Sequence, residues 1–176
     1  VYPLGLTRLS TLVPDEIEKQ AIEKQVLDMN ISPDPWADLK QGLETFGPDV
    51  VALSFRNLDP LAGHQASYLS SLKTAARMVR TLTSRARILA GGPAFSLFGK
   101  QLMAQVPQID IGLVGEGELV FPLLLAPTLA PDQIPGILWR NNHQVVANPQ
   151  GPKISMDDLP DMDVTAFDPN DYAAAN

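Results

Sequence analysis

Apolar residues along this chain alternate between two spacings, and the alternation predicts an α/β fold. Continuous apolar bursts of strand length occur at Gln25–Asn30 (QVLDMN), in DVVALSF ending at Phe55, in ARILAGG ending at Gly92 and in DIGLVG ending at Gly115. DVVALSF is apolar almost throughout, as expected of a strand covered on both faces. Between the bursts the spacing becomes helical. Trp36, Leu39, Leu43 and Phe46 share one face, with Asp34 as N-cap, Pro35 at the first helical position and Gly47-Pro48 as the stop. From Ala66 to about Ser84, Leu69, Leu72, Ala76, Val79 and Leu82 line one face and Lys73, Arg77 and Arg80 the other. A helix is also predicted from Leu97 to about Gln105, and another in GELVFPLLLA, where Pro122 limits how far upstream it starts. The opening VYPLGLTRLSTLVP reads as a loop entering a helix.

Strand–helix alternation at this spacing means βαβ units, so the predicted fold is a doubly wound parallel sheet with helices on both faces. GILWRNNHQVVA adds a β-hairpin turning on Asn141-Asn142, because Asn tolerates the positive φ of such turns. Beyond Pro149 the chain is rich in Pro and Asp and keeps no period. Residues 1–150 are therefore one domain, and 151–176 an extended linker or docking tail. An open α/β sheet normally begins with its innermost strand, yet a helix opens this chain, so a first strand is expected ahead of Val1. The near-repeat IEKQAIEKQ (Ile17–Gln25) reads as a duplicated surface helix.

Composition narrows the classes. The chain has 176 residues, enough for one domain with a core, and is 45% hydrophobic. No apolar run approaches the roughly 20 residues of a membrane span. No signal peptide is visible, so the expected compartment is the cytoplasm. Thirteen basic against 20 acidic residues give a net charge of −7. That balance speaks against nucleic-acid partners, which need a positive field. Cysteine is absent, which excludes disulfides, thiolate chemistry, zinc–thiolate sites and any iron–sulfur cluster held by this chain.

In open parallel sheets ligands bind beyond the carboxyl ends of the strands. The residues there are Asp28-Met29-Asn30, Ser54-Phe55-Arg56-Asn57, Gly91-Gly92-Pro93 and Gly115-Glu116-Gly117-Glu118. Each glycine pair is either a tight strand-to-helix turn or a place where a ligand approaches the backbone closely. Phosphate binding fits poorly: in GEGELV, Val120 stands where the third glycine of a dinucleotide fingerprint belongs, and two carboxylates face the pyrophosphate position. His143 reads as an exposed turn residue. His64, in the loop after a central strand, is the one histidine placed to serve as a ligand, but it lacks a metal-binding neighbour at the usual spacing. Arg56 follows the strand directly, where a buried charge needs partners. It either pairs with Asp28 or Asp59 or faces the ligand.

Taken together, YPLGLTRLS, VLDMN, PDVVALSFRN, LAGGPAFSLF, GLVGEGE…FPLLL, IPGILWR and the exit segment DDLPDMD resemble the N-terminal cobalamin-binding domain of B12-dependent radical SAM methyltransferases. SFRNLDP with GGPAFSLF is nearest to the tryptophan 2-C-methyltransferase branch. The resemblance implies a flavodoxin-like domain that holds cobalamin, as methylcobalamin or hydroxocobalamin, with its base detached from cobalt and buried beside the sheet. It implies cofactor-binding roles for Tyr2, Pro3, Leu4, Gly5, Asp28, Ser54, Phe55, Arg56, Asn57, Gly91, Gly92, Pro93, Ala94, Phe95, Gly115, Glu116 and Gly117. A Cβ at 91 or 92 would then obstruct the flat heterocycle. The Asp-x-His-x-x-Gly motif that ligates cobalt in other cobalamin proteins is missing, so no residue here is expected to ligate the metal. Arg56 is expected to cover the lower face of cobalt, since a guanidinium has no lone pair to donate. With no cluster cysteines the chain holds no catalytic residue of its own. S-adenosylmethionine and the cluster belong to a radical SAM domain in cis, acting on a small methyl acceptor such as tryptophan.

Two other classes remain open on the residues alone. One is a non-catalytic α/β module for FMN or a protein partner, although no Ser/Thr-rich phosphate loop is visible. The other is a receiver-like signalling domain, disfavoured because its phospho-accepting Asp and its Lys have no counterparts.

Overall fold

A computed structural model describes residues 2–58, 67–126, 129–142 and 144–173. It opens with α1 (Leu4–Thr11), followed by an antiparallel pair outside the main sheet, β1 (Glu16–Ile17) and β2 (Gln20–Ala21). Next come α2 (Pro35–Phe46), β3 (Val50–Ser54), α3 (Leu69–Leu82), β4 (Arg87–Gly91), α4 (Pro93–Gln105), β5 (Ile111–Leu113) and α5 (Val120–Leu125). A hairpin of β6 (Ile137–Asn141) and β7 (Gln144–Ala147) follows, and a short α6 (Pro169–Ala173) closes the described chain.

The main sheet has the order β3-β4-β5-β6-β7, with β3, β4 and β5 parallel and the hairpin added antiparallel on β5. Helices cover both faces. On one face Leu39 and Leu43 of α2, Leu72, Ala76 and Val79 of α3, and Phe95 and Leu102 of α4 close over Ile88 and Ala90. On the other, Val120, Phe121 and Leu124 of α5 pack on Leu89, Ile111 and Leu113, with Leu9 of α1 at the border. This is an α/β fold with helices on both faces of a mostly parallel sheet, as the alternating pattern predicts.

Local signals act as read at α2. The Asp34 side chain accepts from the Ala37 N–H, and Gly47 closes the helix in the left-handed region at φ 60°. Helix α4 starts four residues earlier than its periodicity suggests. Pro93 occupies its first turn, and a break at Phe98 (φ −129°, ψ 22°) separates that turn from the regular stretch.

Three expectations are corrected. Gln25–Asn30 is not a strand: among the described residues no ladder lies beside the outer edge of β3, so the segment has nothing to pair with. The IEKQ near-repeat is not a helix: its first copy makes the β1–β2 hairpin, turned by Glu18 and Lys19 at φ 51° and 68°, and residues 22–25 are irregular. Finally, β3 is an edge strand whose Ala52 and Ser54 are exposed, not a strand covered on both faces. In the β6–β7 hairpin Asn141 pairs with Gln144, and Asn142 carries the positive φ of 55°.

Candidate functional site

The carboxyl ends of β3, β4 and β5 form a rim on which two of the predicted segments interlock. The Phe55 N–H donates to the Gly91 carbonyl at 2.8 Å, and the Ala94 N–H donates to the Phe55 carbonyl at 3.3 Å. Gly92 stands between them at φ 103°, where a Cβ would lie 2.7 Å from the Phe55 carbonyl oxygen. Only glycine fits that backbone. The bare backbone at Gly92 is thus required first by the chain itself, before any ligand arrives. At Gly91 a Cβ would meet the Leu113 Cβ at 3.2 Å. Its space is shared with the neighbouring strand.

Ser96, not singled out by the sequence, joins the third segment to these two. Its Oγ accepts from the Gly115 N–H at 2.9 Å. The periodicity of α4 hid this role, since Ser96 precedes the regular stretch. Phe55, Ala94 and Phe95 are buried and carry the rim from beneath, and Pro93 is exposed in the first turn of α4.

Ser54, Arg56 and Asn57 are exposed at the end of β3. Arg56 therefore avoids the desolvation cost expected of a charge at a buried strand end, because at this sheet edge Phe55 turns inward in its place. Among the described residues no carboxylate lies within ion-pair distance of Arg56. Its other suggested partner, Asp59, and the candidate ligand His64 fall outside the described residues, as does His143.

The sheet face shared with α1 and α5 carries an uncovered shelf. Ser54 pairs in register with Gly91, and Ala52 with Leu89, so Ala52, Ser54 and Gly91 share that face. Leu89 is fully buried, whereas Ala52 and Ser54 are exposed. The shelf is built from small residues. Small side chains there leave the sheet open to a planar ring, and Ser54, Arg56 and Asn57 are exposed polar residues at and just after the end of the strand.

Most other predicted residues have partners of their own. Glu116 Oε2 accepts from the Ile154 N–H at 3.1 Å, and a Cβ on Gly115 would lie 3.0 Å from the Gln150 side chain. Gly117 faces Leu9 of α1. The Asp28 carboxylate is only 5% exposed; it accepts from the Asn30 N–H and side-chain amide through Oδ1, and from the Tyr172 hydroxyl at 2.9 Å through Oδ2. Tyr2 joins a cluster of edge-to-face rings with Phe167 and Tyr172, and its hydroxyl donates to the Val164 carbonyl at 3.1 Å. Burial, then the hydrogen bond to Asp28, raise the Tyr172 phenol above its ordinary pKa. Leu4 and Gly5 are exposed at the start of α1, and the Pro3 carbonyl accepts from Thr7. Tyr2 and Asp28 are thus both joined to the C-terminal segment through Tyr172.

Among the described residues no group of three or more His, Asp or Glu side chains is arranged to hold a metal ion, and no helix is long and apolar enough to cross a membrane.

Residues 1–125 match the B12 binding domain family. An uncharacterized methyltransferase of Pyrococcus horikoshii is 27% identical over 162 residues, which cover 90% of this chain and 32% of that protein. The radical S-adenosylmethionine methyltransferase TsrM of Kitasatospora setae, solved with tryptophan substrate and a SAM analogue bound, superposes with a TM-score of 0.72 at 25% identity. That match covers 85% of this chain and 27% of TsrM. TsrM solved with cobalamin and a 4Fe–4S cluster shares the fold with a TM-score of 0.73 at 23% identity, over 91% of this chain and 28% of that one. The chain spans about a third of its curated relative's length.

Proposed function

This chain belongs to the B12-binding domain family, and from that premise we propose that it is the cobalamin-carrying module of a cytoplasmic B12-dependent radical SAM methyltransferase. The observation that carries the reading is the exposed pair Ala52 and Ser54, beside a rim whose glycine backbone is locked in place. Their small side chains would leave the sheet surface open to the heterocyclic tail of cobalamin, and Ser54 and Asn57 would offer hydrogen bonds to the cofactor. When bound, cobalamin supplies a cobalt centre that carries a methyl group from S-adenosylmethionine to an acceptor.

The chain's own part is to bind, orient and shield. Arg56, exposed and not engaged by a described carboxylate, is the residue we assign to the lower face of cobalt. It brings a positive charge and no lone pair. Because the chain has no cysteine, the cluster and the reductive cleavage of S-adenosylmethionine fall to a radical SAM domain in cis. TsrM holds tryptophan as substrate, and we take a small aromatic acceptor of that kind as the substrate here. We also assign the open edge of β3 to a strand preceding Val1. The FMN-module alternative is not favoured by the family match.

The test is retention of cofactor. Hydroxocobalamin mixed with the chain should remain through gel filtration at near-stoichiometric amounts, with the visible spectrum of the base-off form. Ala52→Leu, at an exposed site that folding tolerates, should lower the affinity at least roughly tenfold by filling the shelf. Cobalamin held equally well by the Ala52→Leu protein would overturn the shelf as its site. An unmodified protein that retains none would overturn the module itself.

A further inference from the structure

The C-terminal segment runs back over the domain. It meets the rim at Gln150 and Ile154, against Gly115 and Glu116. It then passes along α1, where the Pro160 carbonyl accepts from Arg8 and the Asp163 N–H donates to Thr11 Oγ1 at 2.9 Å. It ends where Phe167 and Tyr172 bury their rings against Tyr2 and the Tyr172 hydroxyl reaches Asp28. Phe167 and Tyr172 are 8% and 6% exposed, an unusual degree of burial for a segment with no periodic pattern. On its other side α1 sets Leu9 against Gly117, where a Cβ would be 3.3 Å from a Leu9 methyl group. Helix α1 is therefore held between the segment and the Gly115–Gly117 loop.

We infer that Tyr172 is a positioning residue: with Asp28 and the ring cluster it clasps the C-terminal segment over α1, and through α1 it fixes the Gly115–Gly117 part of the rim. The hydrogen bond it makes is poorly replaced. Without the hydroxyl, one oxygen of a buried carboxylate loses its donor, and leaving such a group unsatisfied costs more than the bond itself contributes. Eight-residue α1 is too short to be stable alone in water, so its order depends on the surfaces that flank it. Loosening the clasp should therefore spread to the helix and the loop it supports. The consequence for cofactor binding rests on the cobalamin reading; the mechanical link does not.

Amide hydrogen exchange on the full chain tests the link directly. Three donors report on the loop: the Gly115 N–H on Ser96 Oγ, and the Val120 and Phe121 N–H groups on the Gly117 carbonyl. Tyr172→Phe removes the hydroxyl and keeps the ring; Phe167→Leu removes a ring and keeps the hydroxyl. Both should raise exchange at least fivefold over 163–173, in α1 and at the three reporters. Gly47→Ala, which strains the left-handed stop at the C-terminal end of α2 (φ 60°), controls for general destabilisation and should leave the reporters unmoved. The inference is overturned if the reporters stay protected while 163–173 opens, if neither variant opens 163–173, or if Gly47→Ala moves the reporters as much. A parallel hydroxocobalamin titration of the unmodified chain separates the two ideas, since a chain that binds no cobalamin removes the proposed function and leaves the exchange pattern to decide the clasp.

Discussion

Gly92 and Arg56 show how differently two residues of one rim can be constrained. Gly92 is held at φ 103° with the Phe55 carbonyl where a side chain would stand. Replacing it with Ala adds backbone strain worth more than about 1 kcal/mol, before the overlap with Phe55 is counted. Gly91 lacks the positive φ, and a Cβ there would meet the Leu113 Cβ at 3.2 Å, a tight contact but no overlap. Urea unfolding should therefore show a clearly larger loss for Gly92→Ala than for Gly91→Ala. Equal losses would mean that the φ of Gly92 is not the constraint. Arg56 is exposed and engaged by no described carboxylate, so Arg56→Ala should leave the unfolding midpoint almost unchanged. If Arg56 lies beneath cobalt, the same variant alters the visible spectrum and reduction potential of bound cobalamin. An unchanged spectrum and potential would sink that assignment. The glycine pair was visible in the sequence as a need for bare backbone. That Phe55 creates the need at Gly92 was not, because the two residues meet only across strands.

Secondary structure was most legible where local chemistry decides it. Asp34, Pro35 and Gly47 sit where capping and termination rules put them, and the apolar stripe of α3 faces the core through Leu72, Ala76 and Val79, with Leu82 exposed at its end. It was least legible where a partner decides it. Val26 and Leu27 look like strand residues, yet a strand exists only with a ladder, and none is offered to them among the described residues. The same absence leaves β3 with one open edge. Asp49 and Phe55 direct their backbone groups toward β4, so by alternation those of Val50, Ala52 and Ser54 point away from it. The Ala52 and Ser54 amides should exchange far faster than those of Val51 and Leu53 when followed residue by residue. In a longer chain that supplies a preceding strand, Ala52 should become protected. Slow exchange at Ala52 in the present chain would show that the edge is already covered.

For the whole molecule, sequence and tertiary structure divided the work along the range of the interactions. The alternation of apolar bursts with helical stripes determined an α/β sheet with helices on both faces, and the absence of cysteine determined that no cluster is held by this chain. The segments flanking the strand ends were enough to reveal the resemblance to cobalamin-binding domains, to which residues 1–125 belong. These features depend on neighbours a few residues apart, so periodicity and local motifs register them. Only the tertiary structure decided that Tyr2 and Asp28 meet Tyr172, that Ser96 ties Gly115 to the start of α4, and that small residues on β3 remain uncovered. Tyr172 and Asp28 are 144 positions apart. No pattern along the chain encodes such a contact, because the hydrogen bond forms only after packing has excluded water and brought both groups to the same buried place.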